Sequence, residues 1–135
     1  MKSLNILYVE DNDRLRETIG ELLESANRKV HAVASAEEAL IAFADTSFDV
    51  LVTDVSLPGM SGVDLARRVL TTNPHYWVVL CTGYEFKHRL TGLGINVRLL
   101  SKPFEIEALE ALMDEITLTV KSSSPISTLE SKAPT

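Results

Sequence analysis

Residues 50–60 read Val50-Leu51-Val52-Thr53-Asp54-Val55-Ser56-Leu57-Pro58-Gly59-Met60, an apolar, β-branched run that ends on one carboxylate and then meets the breaker pair Pro58-Gly59. The pattern predicts a buried strand that delivers Asp54 to a loop. Two readings of Asp54 stand on this stretch alone. One makes it a turn cap, since Asp is common where a strand gives way to a loop; the other makes it a functional acid. The remaining strand ends decide between them.

Toward the N-terminus, Asn5 to Val9 is a strand-length apolar run that breaks into Glu10-Asp11-Asn12-Asp13, a second acidic strand end. Leu15, Ile19, Leu22, Leu23 and Ala26 then repeat at three and four residues, an amphipathic helix with Asp13 in the capping place. Lys29 to Val33 alternates like an edge strand. Ser35 with Glu38 is a capping-box pair opening a helix whose Ala39, Leu40 and Phe43 face inward. Residues 45–49 form the loop back to the strand at 50.

Toward the C-terminus, Ser61 precedes a helix with Val63, Ala66, Val69 and Leu70 as its buried stripe, and Asn73-Pro74 stops it. Trp77 to Cys81 is a third apolar run, ending at Thr82-Gly83. Phe86, Leu90 and Leu93 predict a short helix that Gly92 and Gly94 cut to a few turns. Val97 to Leu100 is a fifth strand, ending at Ser101-Lys102-Pro103-Phe104, and Ile106, Leu109, Leu112, Met113, Ile116 and Val120 mark a last helix. From Lys121 the chain is rich in Ser and Pro and lacks periodicity, so residues 121–135 are expected to be a flexible tail behind a domain at 1–120. Five strands alternating with five helices, most strands continuously apolar, predict an α/β fold: a doubly wound parallel sheet covered on both faces by right-handed crossovers.

The composition narrows the function. A chain of 135 residues with 45% hydrophobic content suits one core, burying roughly two thirds of its unfolded surface. Nineteen acids against 13 Lys and Arg give a net charge of -6, which argues against direct nucleic-acid binding through phosphate neutralisation. No apolar run is long enough to span a bilayer and no signal-peptide core is present, so a cytoplasmic protein without membrane insertion is expected. The lone Cys81 lies inside an apolar run and reads as a buried thiol. His31, His75 and His88 share no metal or triad spacing, which leaves no phosphohistidine of the chain's own.

In open α/β sheets ligands bind outside the carboxyl ends of the strands, at a topological switch point. The polar residues collect there: Glu10 and Asp11 after strand one, Asp54 after strand three, Thr82 after strand four, Lys102 after strand five. Strand two offers only Val33 and Ala34, which fits a sheet order of 2-1-3-4-5 with strand two at the edge. Converging acids repel unless they share a cation, and an all-oxygen ligand set suits Mg2+. Lys102 adds a point charge fit for a phosphoryl oxygen, and Thr82 a hydroxyl donor. These are the parts of phosphoryl transfer, with the central Asp54 as acceptor.

In the order Glu10-Asp11, Asp54 with Pro58-Gly59, Thr82-Gly83 and Lys102-Pro103-Phe104, the chain resembles the receiver domain of bacterial two-component response regulators, over Ser3 to about Val120. The resemblance implies a flavodoxin-like (βα)5 domain of the single-domain, chemotaxis type. It implies that Asp54 takes its phosphoryl group from a histidine kinase or a histidine phosphotransfer protein. Mg2+ would be held by Asp11, Asp54 and the Ser56 backbone carbonyl, with Glu10 assisting through water. It further implies that Thr82 turns toward the phosphoryl oxygens, that Lys102 pairs with them, that Lys102-Pro103 is a cis peptide, and that the output is contact with a partner protein rather than enzymatic turnover. One position departs from the family pattern: Leu99 stands three residues before the lysine, where an aromatic residue is usual. Another is the glycine-broken segment 85–94, in the place of the family's signalling helix. Two other readings compete. Asp11-Asn12-Asp13 has the D-x-D spacing of haloacid-dehalogenase-like phosphatases, with Asp11 attacking and Asp13 as acid or base; the alternative is a receiver-shaped binding module that is never phosphorylated.

Overall fold

Residues 3–83, 92–103 and 105–132 are described by the computed structural model, with side chains as far as residue 120. The chain divides after Pro103 into two units. The first contains β1 (Leu4–Val9), α1 (Asp13–Leu23), β2 (Arg28–Val33), α2 (Ala36–Asp45), β3 (Val50–Asp54), α3 (Gly62–Thr72), β4 (Trp77–Thr82) and β5 (Val97–Ser101). The second carries α4 (Ile106–Lys132).

The five strands are all parallel, in the order β2-β1-β3-β4-β5. The chain therefore reverses its winding between β1 and β3, and their carboxyl ends lie side by side at the sheet's centre. β3 and β4 are buried at every position, which is why they read as unbroken apolar runs: both faces of a central parallel strand are covered. Each large side chain taken fully out of water there contributes about 1.5–3 kcal/mol. On one face Leu7, Val9, Leu51, Val78 and Leu80 pack with the small residues Ala36 and Ala39 of α2 and with Leu65, Ala66 and Leu70 of α3. The alternate positions, Ile6, Tyr8, Val50 and Val52, point to the opposite face, and α1 packs along β1 and β2.

At the edge, β2 departs from the alternation expected over residues 29–33: Val30 is half-buried and Val33 buried, but Lys29, His31 and Ala32 all face solvent, as an edge strand covered on few sides allows. Its outward N–H groups are covered locally: Val30 donates to the Glu24 carboxylate at 3.2 Å, and Ala34, just past its end, to Glu38 at 3.4 Å. Carboxylates laid along an edge discourage a further strand from pairing with it.

The helix starts show one correction. Asn12, not Asp13, is the N-cap of α1: its Oδ1 accepts from the Leu15 N–H at 2.9 Å, while Asp13 is the first helical residue and pairs with Arg16 at 2.7 Å. Either side chain has the acceptor a cap needs, and the backbone turn after β1 selects the earlier one. Ser35 and Ser61 cap α2 and α3 as expected, although Glu38 returns to the Ala34 N–H rather than to that of Ser35. Ala26, read as part of the first apolar stripe, is exposed beyond the end of α1. Sequence reading passed over Arg28, which is 5% exposed and donates from Nε to the Leu23 carbonyl at 2.7 Å, closing the C-terminus of α1.

Most of the short helix expected around Phe86 to Leu93 falls on residues 84–91, outside the described residues. In the second unit, Leu109, Met113 and Ile116 form a buried stripe. The helix does not stop at Val120 but continues to Lys132, so the loss of periodicity at Lys121 marks the end of the apolar stripe and not of the helix. No described helix is long and apolar enough to cross a membrane.

Candidate functional site

Two adjacent strands bring the acids together. The register sets Val9 of β1 opposite Thr53 of β3, so the next residues, Glu10 and Asp54, leave the sheet side by side. The Glu10 N–H is still bonded to the Val33 carbonyl at 3.1 Å, which fixes where its side chain departs. Carboxylate oxygens of Glu10, Asp11 and Asp54 all lie within 4.8 Å of one another, the only such acidic cluster among the described residues. Glu10 is 2% and Asp54 7% exposed, while Asp11 faces solvent.

Lys102 enters from β5. Its backbone N–H donates to the Thr82 carbonyl at 2.8 Å, extending the β4–β5 ladder by one residue. Its Nζ lies 2.9 Å from Asp54 Oδ1 and 3.3 Å from Glu10 Oε1. Lys102-Pro103 is a cis peptide, as the resemblance implies.

The charges are unequal: three carboxylates stand together, and the one ammonium, on Lys102, meets two of them, Asp54 and Glu10. Burial drives the Glu10 carboxyl upward, and the Asp54 charge adds to that; the Asn12 N–H, donating at 3.0 Å, and Lys102 pull the other way without prevailing. For Lys102, burial favours the neutral amine, but its bond to Asp54 and the charges of Asp54 and Glu10 overcome that and raise its pKa. The ammonium stays charged. A cluster of hard oxygen donors with surplus negative charge is suited to a divalent cation, which would offset the mutual repulsion that adds to the effect of burial on Glu10.

The backbone around Asp54 is closely held. Thr53 Oγ1 donates to the Asp54 carbonyl at 3.0 Å, the Val55 N–H to the Cys81 carbonyl at 3.0 Å, and the Gly62 N–H to the Val55 carbonyl at 3.0 Å. α3 starts so close to β3 that a Cβ on Gly62 would lie 1.9 Å from the Asp54 carbonyl oxygen. Gly59 has φ 76°, the left-handed region that glycine enters without penalty. Sequence reading named Pro58-Gly59 as a breaker but missed Gly62, whose role is a close approach that no local pattern records.

The other predicted residues are placed as follows. Thr82 is buried at the end of β4, its hydroxyl donating to the Gly83 carbonyl at 3.1 Å. Ser56 is exposed on the loop two residues past Asp54. Leu99, paired with Leu80 across the sheet, packs against the apolar cluster under α2 and α3. Cys81 is a free buried thiol whose pKa burial pushes up to about 12. It is inert as a nucleophile at neutral pH.

Comparison with known proteins agrees with this arrangement. Residues 6–114 match the family described as the response regulator receiver domain. The chain is 37% identical over 106 residues to the response regulator protein FleR of Pseudomonas aeruginosa, covering 77% of this chain and 22% of FleR. It is 32% identical to the two-component response regulator PhoP of the same organism, covering 84% of this chain and 51% of PhoP. The chain thus spans about half of PhoP and less than a quarter of FleR. Among solved structures, the response regulator TrrA of Thermotoga maritima, in complex with Mg(2+)-BeF, superposes with TM-score 0.75 at 25% identity, covering 86% of this chain and 99% of that one. The chemotaxis response regulator CheY4 of Vibrio cholerae gives 0.75 at 25% identity, over 85% and 99%. With acids at the ends of β1 and β3, a lysine after β5, and a family match over most of its length, this chain belongs to the response regulator receiver domains.

Proposed function

We propose that Asp54 is the phosphoryl acceptor of this receiver domain, supplied by a histidine kinase or a histidine phosphotransfer protein in the cytoplasm and read out by contact with a partner protein. The observation that carries this reading is the seat of Asp54: nearly buried at the switch point, bonded to Lys102 and grouped with Glu10 and Asp11. An oxygen of its carboxylate attacks the phosphorus, the bond from phosphorus to the donor imidazole breaks, and the imidazole nitrogen keeps the electron pair. Asp11, Asp54 and the Ser56 carbonyl hold Mg2+, with Glu10 assisting through water; when bound, the ion neutralises charge on the transferring group. Lys102, already at hydrogen-bond distance from Asp54, is placed to pair with a phosphoryl oxygen. Thr82 exchanges its bond to the Gly83 carbonyl for one to the phosphoryl group. The domain acts as a signalling module without enzymatic turnover of an external substrate.

The D-x-D phosphatase reading is disfavoured by Asp13, whose carboxylate is turned to Arg16 at 2.7 Å in the first turn of α1 and not into the acid cluster. We place the domain boundary near Val120, supported by a family match that ends at residue 114 and by a helix stripe whose last fully buried member is Ile116 and whose last half-buried one is Val120; limited proteolysis that spares residues 1–120 while trimming 121–135 is the expected result.

To test the central reading, the protein is incubated with Mg2+ and acetyl phosphate and its intact mass recorded. An acid-stable, base-labile phosphoryl adduct is expected, absent without Mg2+ and in Asp54→Asn. An adduct that persists in Asp54→Asn, or that maps to Asp11, overturns the assignment.

A further inference from the structure

The loop from Val55 to Ser61 is pinned at its base, where the Gly62 N–H meets the Val55 carbonyl at 3.0 Å, and at its exit, where Ser61 Oγ accepts from the Asp64 N–H at 3.1 Å. Its tip, Pro58 and Gly59, is exposed, while Leu57 and Met60 on either side of it are half-buried and pack against the apolar cluster. One tertiary bond crosses to the tip among the described residues: the Met60 N–H donates to Glu37 Oε2 at 3.1 Å. Glu37 belongs to the first turn of α2, on a different element 23 residues earlier. The fit is close, for a Cβ on Gly59 would lie 2.9 Å from that same oxygen. The neighbouring Glu38, also a carboxylate and also exposed, turns away to the Ala34 N–H.

We propose that Glu37 is a positioning residue for the metal site: by holding the loop tip through Met60, it keeps the Ser56 backbone where its carbonyl can serve Mg2+, and so sets the affinity with which the acid cluster binds the ion. The inference rests on the reading that Glu10, Asp11, Asp54 and Ser56 hold Mg2+. A side-chain ligand can adjust through its own torsions, whereas a backbone carbonyl is only as well placed as its loop. Mg2+ tolerates little departure from octahedral geometry, so loop order reaches affinity directly. The Met60 N–H, together with Glu37's own backbone, holds the Glu37 carboxyl below the usual carboxylate range, so it remains an ionised acceptor at neutral pH.

The test is a Mg2+ titration of the full chain followed by amide shifts of residues 10–12 and 54–60, with hydrogen exchange of the Met60 amide measured in parallel. Outer-shell partners typically cost about 10–100-fold in metal affinity when removed; Glu37 is exposed and acts through four residues of loop, so Glu37→Ala is expected to weaken Mg2+ by roughly three- to tenfold. The Met60 amide should exchange faster, with the dispersed spectrum and thermal midpoint of the parent retained. Glu37→Gln, which keeps an oxygen acceptor, should restore most of the affinity, and Glu38→Ala, which removes the same charge, should leave it unchanged. Parental affinity in Glu37→Ala overturns the proposal, as does an equal loss in Glu38→Ala, which would reduce the effect to bulk charge. Asp11→Asn separates the two levels: if it binds Mg2+ as the parent does, the metal reading itself fails and the clamp falls with it; if it loses the ion, the Glu37 result stands on its own.

Discussion

The two ends of this sheet are built from the same strands and helices and do opposite things with their polar groups. At the amino ends, Phe43 packs edge-on against Phe48 and Tyr76, with ring centroids 5.7 and 5.8 Å apart. The polar atoms there are consumed by backbone: the Tyr76 hydroxyl donates to the Phe48 carbonyl, and the Asp49 carboxylate accepts from the Asn5 N–H at 2.7 Å. At the carboxyl ends, three carboxylates gather, two of them on one lysine, and the nearby backbone is locked instead. One end spends its polar groups on folding; the other keeps them in surplus for an ion and a phosphoryl group. Stability and function should therefore separate by end.

The largest effect is expected where the two meet, at Gly62. An added methyl would collide with the Asp54 carbonyl, so Gly62→Ala should lose on the order of 3 kcal/mol in chemical denaturation and also weaken Mg2+ at least about tenfold; retention of both would show that α3 can slide freely. Next comes Phe48→Ala at the amino end, which removes a half-buried ring from two edge-on contacts. About 2 kcal/mol of stability should go, with Mg2+ affinity unchanged within about twofold; a coupled loss of metal binding would break the contrast between the ends. Arg28→Ala should cost about 1–2 kcal/mol by leaving buried carbonyls at the end of α1 without their donor, again with no change in phosphorylation.

The smallest effect is pH-dependent and belongs to the carboxyl end. Because the Glu10 pKa is raised on folding, the folded state holds a proton that the unfolded state has released. Metal-free stability should accordingly fall as pH rises from the usual glutamate range through the raised value. Mg2+ should reverse that slope and Glu10→Gln flatten it, as read by thermal midpoints across that pH window. A slope that survives in Glu10→Gln would assign the titration elsewhere.

Much of this was legible along the chain. The continuous apolar strands, the breaks that follow them and the 3.6-residue stripes led to a parallel sheet covered on both faces, and the lack of polar residues after strand two put that strand at the edge of the order. The acids and Lys102 were recognisable for the same reason: strand ends in this fold share one crevice, so polar residues at separate strand ends become neighbours. Less legible was anything that depends on backbone position to within an ångström. Asn12 and Asp13 compete for one cap with nearly equal chemistry, and the turn decides. The continuation of α4 past Val120 runs through Ser122, Ser123, Ser124 and Pro125, residues whose local preferences point away from a helix.

What the sequence determined by itself was periodicity and the order of chemical types: which segments are strands, which helices, and that an acid, a hydroxyl and a lysine follow three successive strands of the sheet, β3, β4 and β5. What only the tertiary structure decided was proximity between distant residues. The 2.9 Å bond from Lys102 to Asp54, the methyl-sized gap that Gly62 leaves for the Asp54 carbonyl, and the reach of Glu37 to Met60 all depend on how helices seat on the sheet. That seating is set by close packing among many side chains at once, a property of the assembled core and not of any one stretch of chain.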